Sequence, residues 1–181
     1  NDIQAIATMC HNKGILVHSD AAQGVGHLAV DANIVDLLTL TGHKLYAPKG
    51  VGALIMKQEV VLSPIIVGGA GERGRRAGTL NVASIVGLGK ACSMCQSAHT
   101  DSISIARDAF EMQLKEELDD VVINGCKSNR LPHISSVQFE HVGPDFTPSA
   151  IHGVACSAGS ACHSGSTSGS YVLLAMGLNT S

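Results

Sequence analysis

Two side chains early in the sequence carry complementary chemistry. Asp20 closes the apolar stretch ILVHSD (residues 15–20), and Lys44 closes TGHK (residues 41–44). A carboxylate in such a place caps a helix or turn, binds a metal, or pairs with a protonated ring nitrogen. A lysine there is either a solvated loop residue or an amine able to form a Schiff base with a carbonyl compound. Taken alone, each favours the plainer reading. The combination does not. An acid that keeps a pyridinium protonated and a lysine that forms a Schiff base are the two protein groups that pyridoxal 5'-phosphate (PLP) chemistry needs. Thr41 and His43 add a hydroxyl and an imidazole suited to phosphate oxygens, and Gln23 is placed to reach a ring oxygen.

The third candidate is a thiol. Cys162 lies in CSAGSACHSG (residues 156–165), a run of small and flexible residues. The plain reading is a loop with a stray cysteine. The functional one is a nucleophile on a swinging segment, able to attack in one place and deliver in another. Such a thiol acts as the thiolate, so its surroundings must lower its pKa. His163 is adjacent, but neighbouring side chains point apart, and no catalytic role is assigned to it. Cys156 reads as a small buried residue. Cys92 and Cys95 form a C-x-x-C inside NVASIVGLGKACSMCQ, which has helical apolar spacing. No second pair completes the usual four zinc ligands, so no metal site is expected.

These side chains need elements to hold them. Residues 2–12, DIQAIATMCHN, have apolar positions at helical spacing, with Gly14 as the stop. ILVHSD reads as a short buried strand, residues 37–41 as a second strand, and KGVGALIMK (49–57) as a third. A helix and three strands with short connections predict an open α/β sheet. Ligands of such sheets bind beyond the carboxyl ends of the strands, where Asp20, Gln23, Thr41, His43 and Lys44 fall. IIVGGAGERGRRAGT (65–79) is a glycine-rich loop whose Arg73, Arg75 and Arg76 suit a subunit interface or plain solvation. Helices are expected over 81–96 and 101–119, then strands at VVIN (121–124) and near HISSVQF (133–139), and a last helix over 168–176. PDFTPSAIHG (144–153) is a poor helix because Pro144 and Pro148 interrupt it. The pattern changes near residue 98, which predicts domains of 1–97 and 98–181.

Composition narrows the class. The chain has 181 residues, 45% of them hydrophobic and 15% charged, the balance of a chain that buries a core. Twelve Lys and Arg against fifteen Asp and Glu leave a net charge of -3, which disfavours nucleic acid as partner. No run of apolar residues is long enough to span a membrane. Six cysteines are too sparse for a disulfide scaffold, and no signal peptide is evident, so a reducing, cytoplasmic home is expected, with an organelle as the alternative. The sequence opens on Asn and stops just after a helical pattern, so a fragment of a longer protein is expected.

In this order, HSDAAQ, TGHKLYAPKGVGAL, GGAGERGRRAGT and SAGSACHSGS resemble the NifS-like cysteine desulfurases and the related selenocysteine lyases. These are members of the class V aminotransferase group of fold type I PLP enzymes. The resemblance runs through the whole chain. It implies part of a large-domain sheet followed by a smaller α+β domain. It also implies roles. Lys44 carries PLP as a Schiff base, Asp20 keeps the ring nitrogen protonated, and Gln23 bonds the phenolic oxygen. Thr41 and His43 bind the phosphate, Thr79 reaches the phosphate of a partner subunit in a homodimer, and Cys162 takes sulfur from L-cysteine as a persulfide. A sulfur-acceptor protein, such as an iron–sulfur scaffold, follows from that chemistry.

The sequence departs from the family pattern at Gly71, where glutamine or histidine is usual, and at Leu80, where glutamate is usual. It also lacks the family's first half and its C-terminal substrate-binding arginine. The alternatives are a selenocysteine lyase using the same residues on L-selenocysteine, a class V enzyme that needs no cysteine, and a catalytically inactive scaffold. The thiol loop argues against the second.

Overall fold

The computed structural model describes residues 1–95, 100–125, 129–139, 142, 153 and 170–178. Asp2 starts the first helix. Its Oδ1 accepts from the amide of Ala5 at 3.0 Å and satisfies a first-turn donor that has no helical partner. Helix α1 (Ile3–His11) follows, buries Ala7, and ends at Asn12. The Ile15 amide is taken by the Cys10 carbonyl at 3.0 Å, so this residue completes the helix terminus instead of joining a strand. Strand β1 is therefore only His18–Asp20. Of the apolar residues expected to be buried before it, Val17 is, while Ile15 and Leu16 are exposed.

Strand β1 pairs in parallel with β2 (Leu37–Thr41), His18 opposite Leu37 and Asp20 opposite Thr39. Strand β3 (Gly52–Met56) pairs with β2 in antiparallel fashion, giving the order β1-β2-β3. Alternation decides the faces. Leu38 and Leu40 are buried, and Leu37, Thr39 and Thr41 point the other way. Leu38 packs with Ala7, Val17, Ala21 and Val35, which seats α1 on the sheet. Leu40 packs with Leu45, Ala47 and Leu88, which seats helix α2 (Val82–Met94) beside it. Asn81 caps α2 by accepting from the amide of Ser84 at 3.2 Å.

Helix α3 (Thr100–Glu117) covers nearly the span its sequence predicts, but Ile105, Phe110 and Met112 on it are exposed. Its buried Glu111 receives both guanidinium nitrogens of Arg130, at 2.7 and 2.6 Å. Arg107 donates to the carbonyls of Leu131 and Pro132 at 2.9 and 3.2 Å. Residues 130–132 are thus fastened to a helix, and the last strand starts later than its apolar pattern suggests. Strand β4 (Val121–Ile123) pairs antiparallel with β5 (Val137–Phe139). Helix α4 (Tyr171–Ala175) begins at Ser170. Packing divides the chain into one unit of Asn1–Met112 with Gly125–Ser135 and another of Gln113–Asn124 with Ser136–Ser181. Residues 144–152, Cys156 and Cys162 lie outside the described residues.

One buried carboxylate ties the first unit together. Asp36 Oδ2 accepts from the Val17 amide at 2.7 Å and from His11 Nε2 at 2.8 Å, and Oδ1 accepts from Lys57 Nζ at 3.0 Å. The Val17 amide, then His11 and Lys57, hold this carboxyl well below the usual carboxylate range, against the opposing cost of burial. A carboxyl with a depressed folded-state pKa contributes stability above its unfolded value of about 3.9, and that contribution fades as the pH falls further. Asp36→Asn is expected to lower the thermal midpoint by several degrees at pH 7, and the gap from the parent chain should narrow below about pH 4. Thermal unfolding across that range checks both parts.

The turn after β2 has no room for a larger residue at its first position. A Cβ on Gly42 would lie 2.7 Å from the Val51 carbonyl oxygen, which is backbone and cannot swing aside. Gly42→Ala should cost about 1–3 kcal/mol, as overpacking does, read as a lower urea midpoint with an unchanged slope.

Candidate active site

Parallel pairing places the carboxyl ends of β1 and β2 side by side. Asp20 ends β1, and the ladder runs one step further, the Ala21 amide donating to the Thr39 carbonyl at 2.8 Å. Asp20 Oδ1 then accepts from the Ala22 amide at 2.9 Å, which turns the chain into the loop bearing Gln23. Both side chains are exposed. Thr41 ends β2, and a 3-10 turn, Gly42–Leu45, carries His43 and Lys44 outward while burying Gly42 and Leu45. Leu45 belongs to the Leu40, Ala47 and Leu88 cluster, so Lys44 stands next to a residue anchored in the core.

The two loops also touch. Gly26 has φ +82, and a Cβ there would lie 2.9 Å from Leu45 Cδ2 and 3.3 Å from Cys95 Sγ. Glycine is needed at this place because its backbone is left-handed and its neighbours are close. The loop carrying Asp20 and Gln23 therefore rests against the turn carrying Lys44. The structure brings Asp20, Gln23, Thr41, His43 and Lys44 to one edge of one sheet. Residues 39–41, His43 and residues 50–54 line an open depression of about 530 Å³ along β2 and β3, which Asp20, Gln23 and Lys44 do not line. Thr39 is itself engaged, its hydroxyl 2.7 Å from His18 Nε2.

Thr79 is exposed on the loop before Asn81 and makes no hydrogen bond among the described residues. Cys162 lies outside the described residues. Cys92 is exposed and Cys95 half-buried at the end of α2, where burial first and then Cys92 push the Cys95 thiol up.

Two residues at this edge escape sequence reasoning. His27 follows Gly26 on the Asp20 loop, and its ring stacks on that of His133, with centroids 3.7 Å apart and planes at 29°. Burial, then His27, then the Lys44 ammonium push the His133 imidazole down. His27 had a sequence signal in its place on the acid's own loop. His133 had none, because only folding carries it there.

The donor set suits PLP. Lys44 offers an exposed amine with no hydrogen bond or ion pair among the described residues. Asp20 Oδ1 fixes its turn, and Oδ2 has no hydrogen bond among the described residues. A hydroxyl and an imidazole for a phosphate stand beside the amine, on Thr41 and His43.

The chain resembles known proteins along nearly all of its length. The chain is 41% identical to a cysteine desulfurase of Gluconacetobacter diazotrophicus over 96% of its own length and 45% of the relative's. It is 40% identical to the cysteine desulfurase IscS of Pectobacterium atrosepticum, over 98% of this chain and 46% of that one. The chain thus spans about half the length of the curated relatives it matches. Its fold superposes on a NifS-like protein from Rickettsia africae with a TM-score of 0.82, at 27% identity, covering 98% of this chain and 48% of that one. That likeness assigns the partial fold type I PLP-dependent architecture expected from the motifs. A match to the aminotransferase class-V family runs from residue 1 to residue 176, through every strand and turn that builds this edge, and the chain belongs to that family.

Proposed function

We propose that the chain works as part of a PLP-dependent cysteine desulfurase that converts L-cysteine to L-alanine and passes the sulfur to an acceptor protein. The observation that carries the reading is the adjacency of Asp20 and the Lys44 turn at the carboxyl ends of two parallel strands. The naming of relatives as cysteine desulfurases supports it.

When bound, PLP would supply an electron sink for charge developing at the substrate α-carbon. This chain's residues would do the rest. Lys44 would hold the cofactor through its amine and, once released, move the α-proton. Asp20 would keep the ring nitrogen protonated, Gln23 would bond the phenolic oxygen, and Thr41 and His43 would bind the phosphate. Thr79 would serve a partner subunit's phosphate in a homodimer. The Cys162 thiolate would attack the substrate sulfur. The carbon–sulfur bond breaks, a sulfur–sulfur bond forms, and a persulfide stays on Cys162 while the carbon takes a proton to become alanine. The persulfide would then go to an acceptor such as an iron–sulfur scaffold protein.

Visible absorbance of the purified chain with added PLP tests the cofactor site. A band that Lys44→Ala removes is expected, and a band unaffected by that change would overturn the role of Lys44. Cys162→Ala should keep the band and lower sulfide release from L-cysteine at least a hundredfold, on the order expected for loss of a covalent nucleophile. Full sulfide release from that variant would point to an enzyme of the family that needs no cysteine. Running L-selenocysteine alongside separates the desulfurase from a selenocysteine lyase.

A further inference from the structure

The His27–His133 stack joins two segments that are each fixed by other means. On one side, the His27 amide donates to the Gly24 carbonyl at 3.0 Å and the Gly24 amide to the Ala21 carbonyl at 2.9 Å, a chain of turns leading back to Asp20. On the other, Arg107 holds the carbonyls of Leu131 and Pro132, Pro132 is buried, and Arg130 grips the buried Glu111. His133 is thus presented from an anchored turn onto the loop that carries the acid and the amide of the cofactor site. We propose that His133 is a positioning residue, which by stacking on His27 holds the loop of Asp20 and Gln23 against the Lys44 turn. The inference rests on the cofactor reading above.

The chemistry of the pair makes this latch sensitive to acid. Both Nδ1 atoms are buried and have no hydrogen-bond partner among the described residues. Adding a proton to His133 Nδ1 would bury an unpaired N–H and a positive charge. The facing groups do not relieve it. His27 lies against the ring, Lys44 adds its own positive charge, and Cys95 brings only a thiol to the neighbouring Gly26. On the anchoring side, Arg107, Arg130, Asp108 and Glu111 are engaged with one another. The sign follows. A histidine whose folded-state pKa is lowered favours the stacked form fully above the ordinary value of about 6.5, and the stack loosens as the pH falls below it.

Two measurements on the whole chain test the latch. In the first, the imidazole ring signals are titrated by NMR without cofactor. His133 should titrate below the ordinary range and move back toward it in His27→Ala and in Lys44→Ala. An ordinary value that neither change moves would overturn the proposal. In the second, PLP affinity is followed by absorbance from pH 7.5 to pH 5.5. His133→Ala should weaken binding by up to about tenfold at pH 7.5, the scale of an aromatic stack. His133→Phe keeps an aromatic ring but cannot take a proton. It should bind within about twofold of the parent at pH 7.5 and bind progressively better than the parent toward pH 5.5. Equal affinities for all three proteins at every pH would overturn the positioning role. If PLP fails to bind any of them, the cofactor reading fails, and the ring titration alone decides whether the latch exists.

Discussion

Asp36 sits where α1, β1, β2 and the residue after β3 meet, and its carboxylate is shared among them. His11 reaches it from the last turn of α1, Val17 from just before β1, and Lys57 from just after β3. The backbone repeats the pattern, with the Asp36 amide on the Val17 carbonyl and the Lys57 amide on the Asp36 carbonyl. A buried carboxylate tolerates this place only because its oxygens are satisfied, and satisfying them sets which residues stand opposite one another. The register of β1 on β2 follows, and with it the faces to which Leu38 and Leu40 are turned.

What Asp36 does at the amino ends of the strands is felt at their carboxyl ends. A slip of one residue would turn Leu38 and Leu40 away from α1 and α2. It would also part Asp20 from the strand end that leads to Lys44. The structural carboxylate and the one proposed for chemistry thus lie at opposite ends of the same pair of strands, the first buried and bonded, the second exposed with one oxygen unbonded among the described residues. The proposed site lies at the carboxyl edge, where the loops carry side chains left uncommitted among the described residues, while the packed core behind them, through Leu45 and Leu88, keeps the loops from drifting.

Helix α3 and the turn at residues 130–132 are joined by side chains within the first unit. Arg107 on α3 donates to the carbonyls of Leu131 and Pro132, and Arg130 donates to Glu111 on the same helix. Together these bonds hold residues 130–132 against that helix, and strand β5 starts at Val137.

Much of this was legible in the residues alone. The helical spacing of α1 and α2, the strand at 37–41 and the chemistry of Asp20, Gln23, Thr41, His43 and Lys44 are local properties. Side-chain type and period carry them, and neither needs a partner to be seen. Four ordered motifs were enough to place the chain in its family. Tertiary structure decided what depends on distant partners. It shortened β1 because the Cys10 carbonyl claims Ile15, buried Asp36 because three donors converge on it, and set His133 on His27 because α3 fastens the turn between them. Sequence periodicity reports which face of an element is apolar. It does not report which polar groups far apart in the chain will satisfy one another, since that is settled only when burial makes an unpaired group costly.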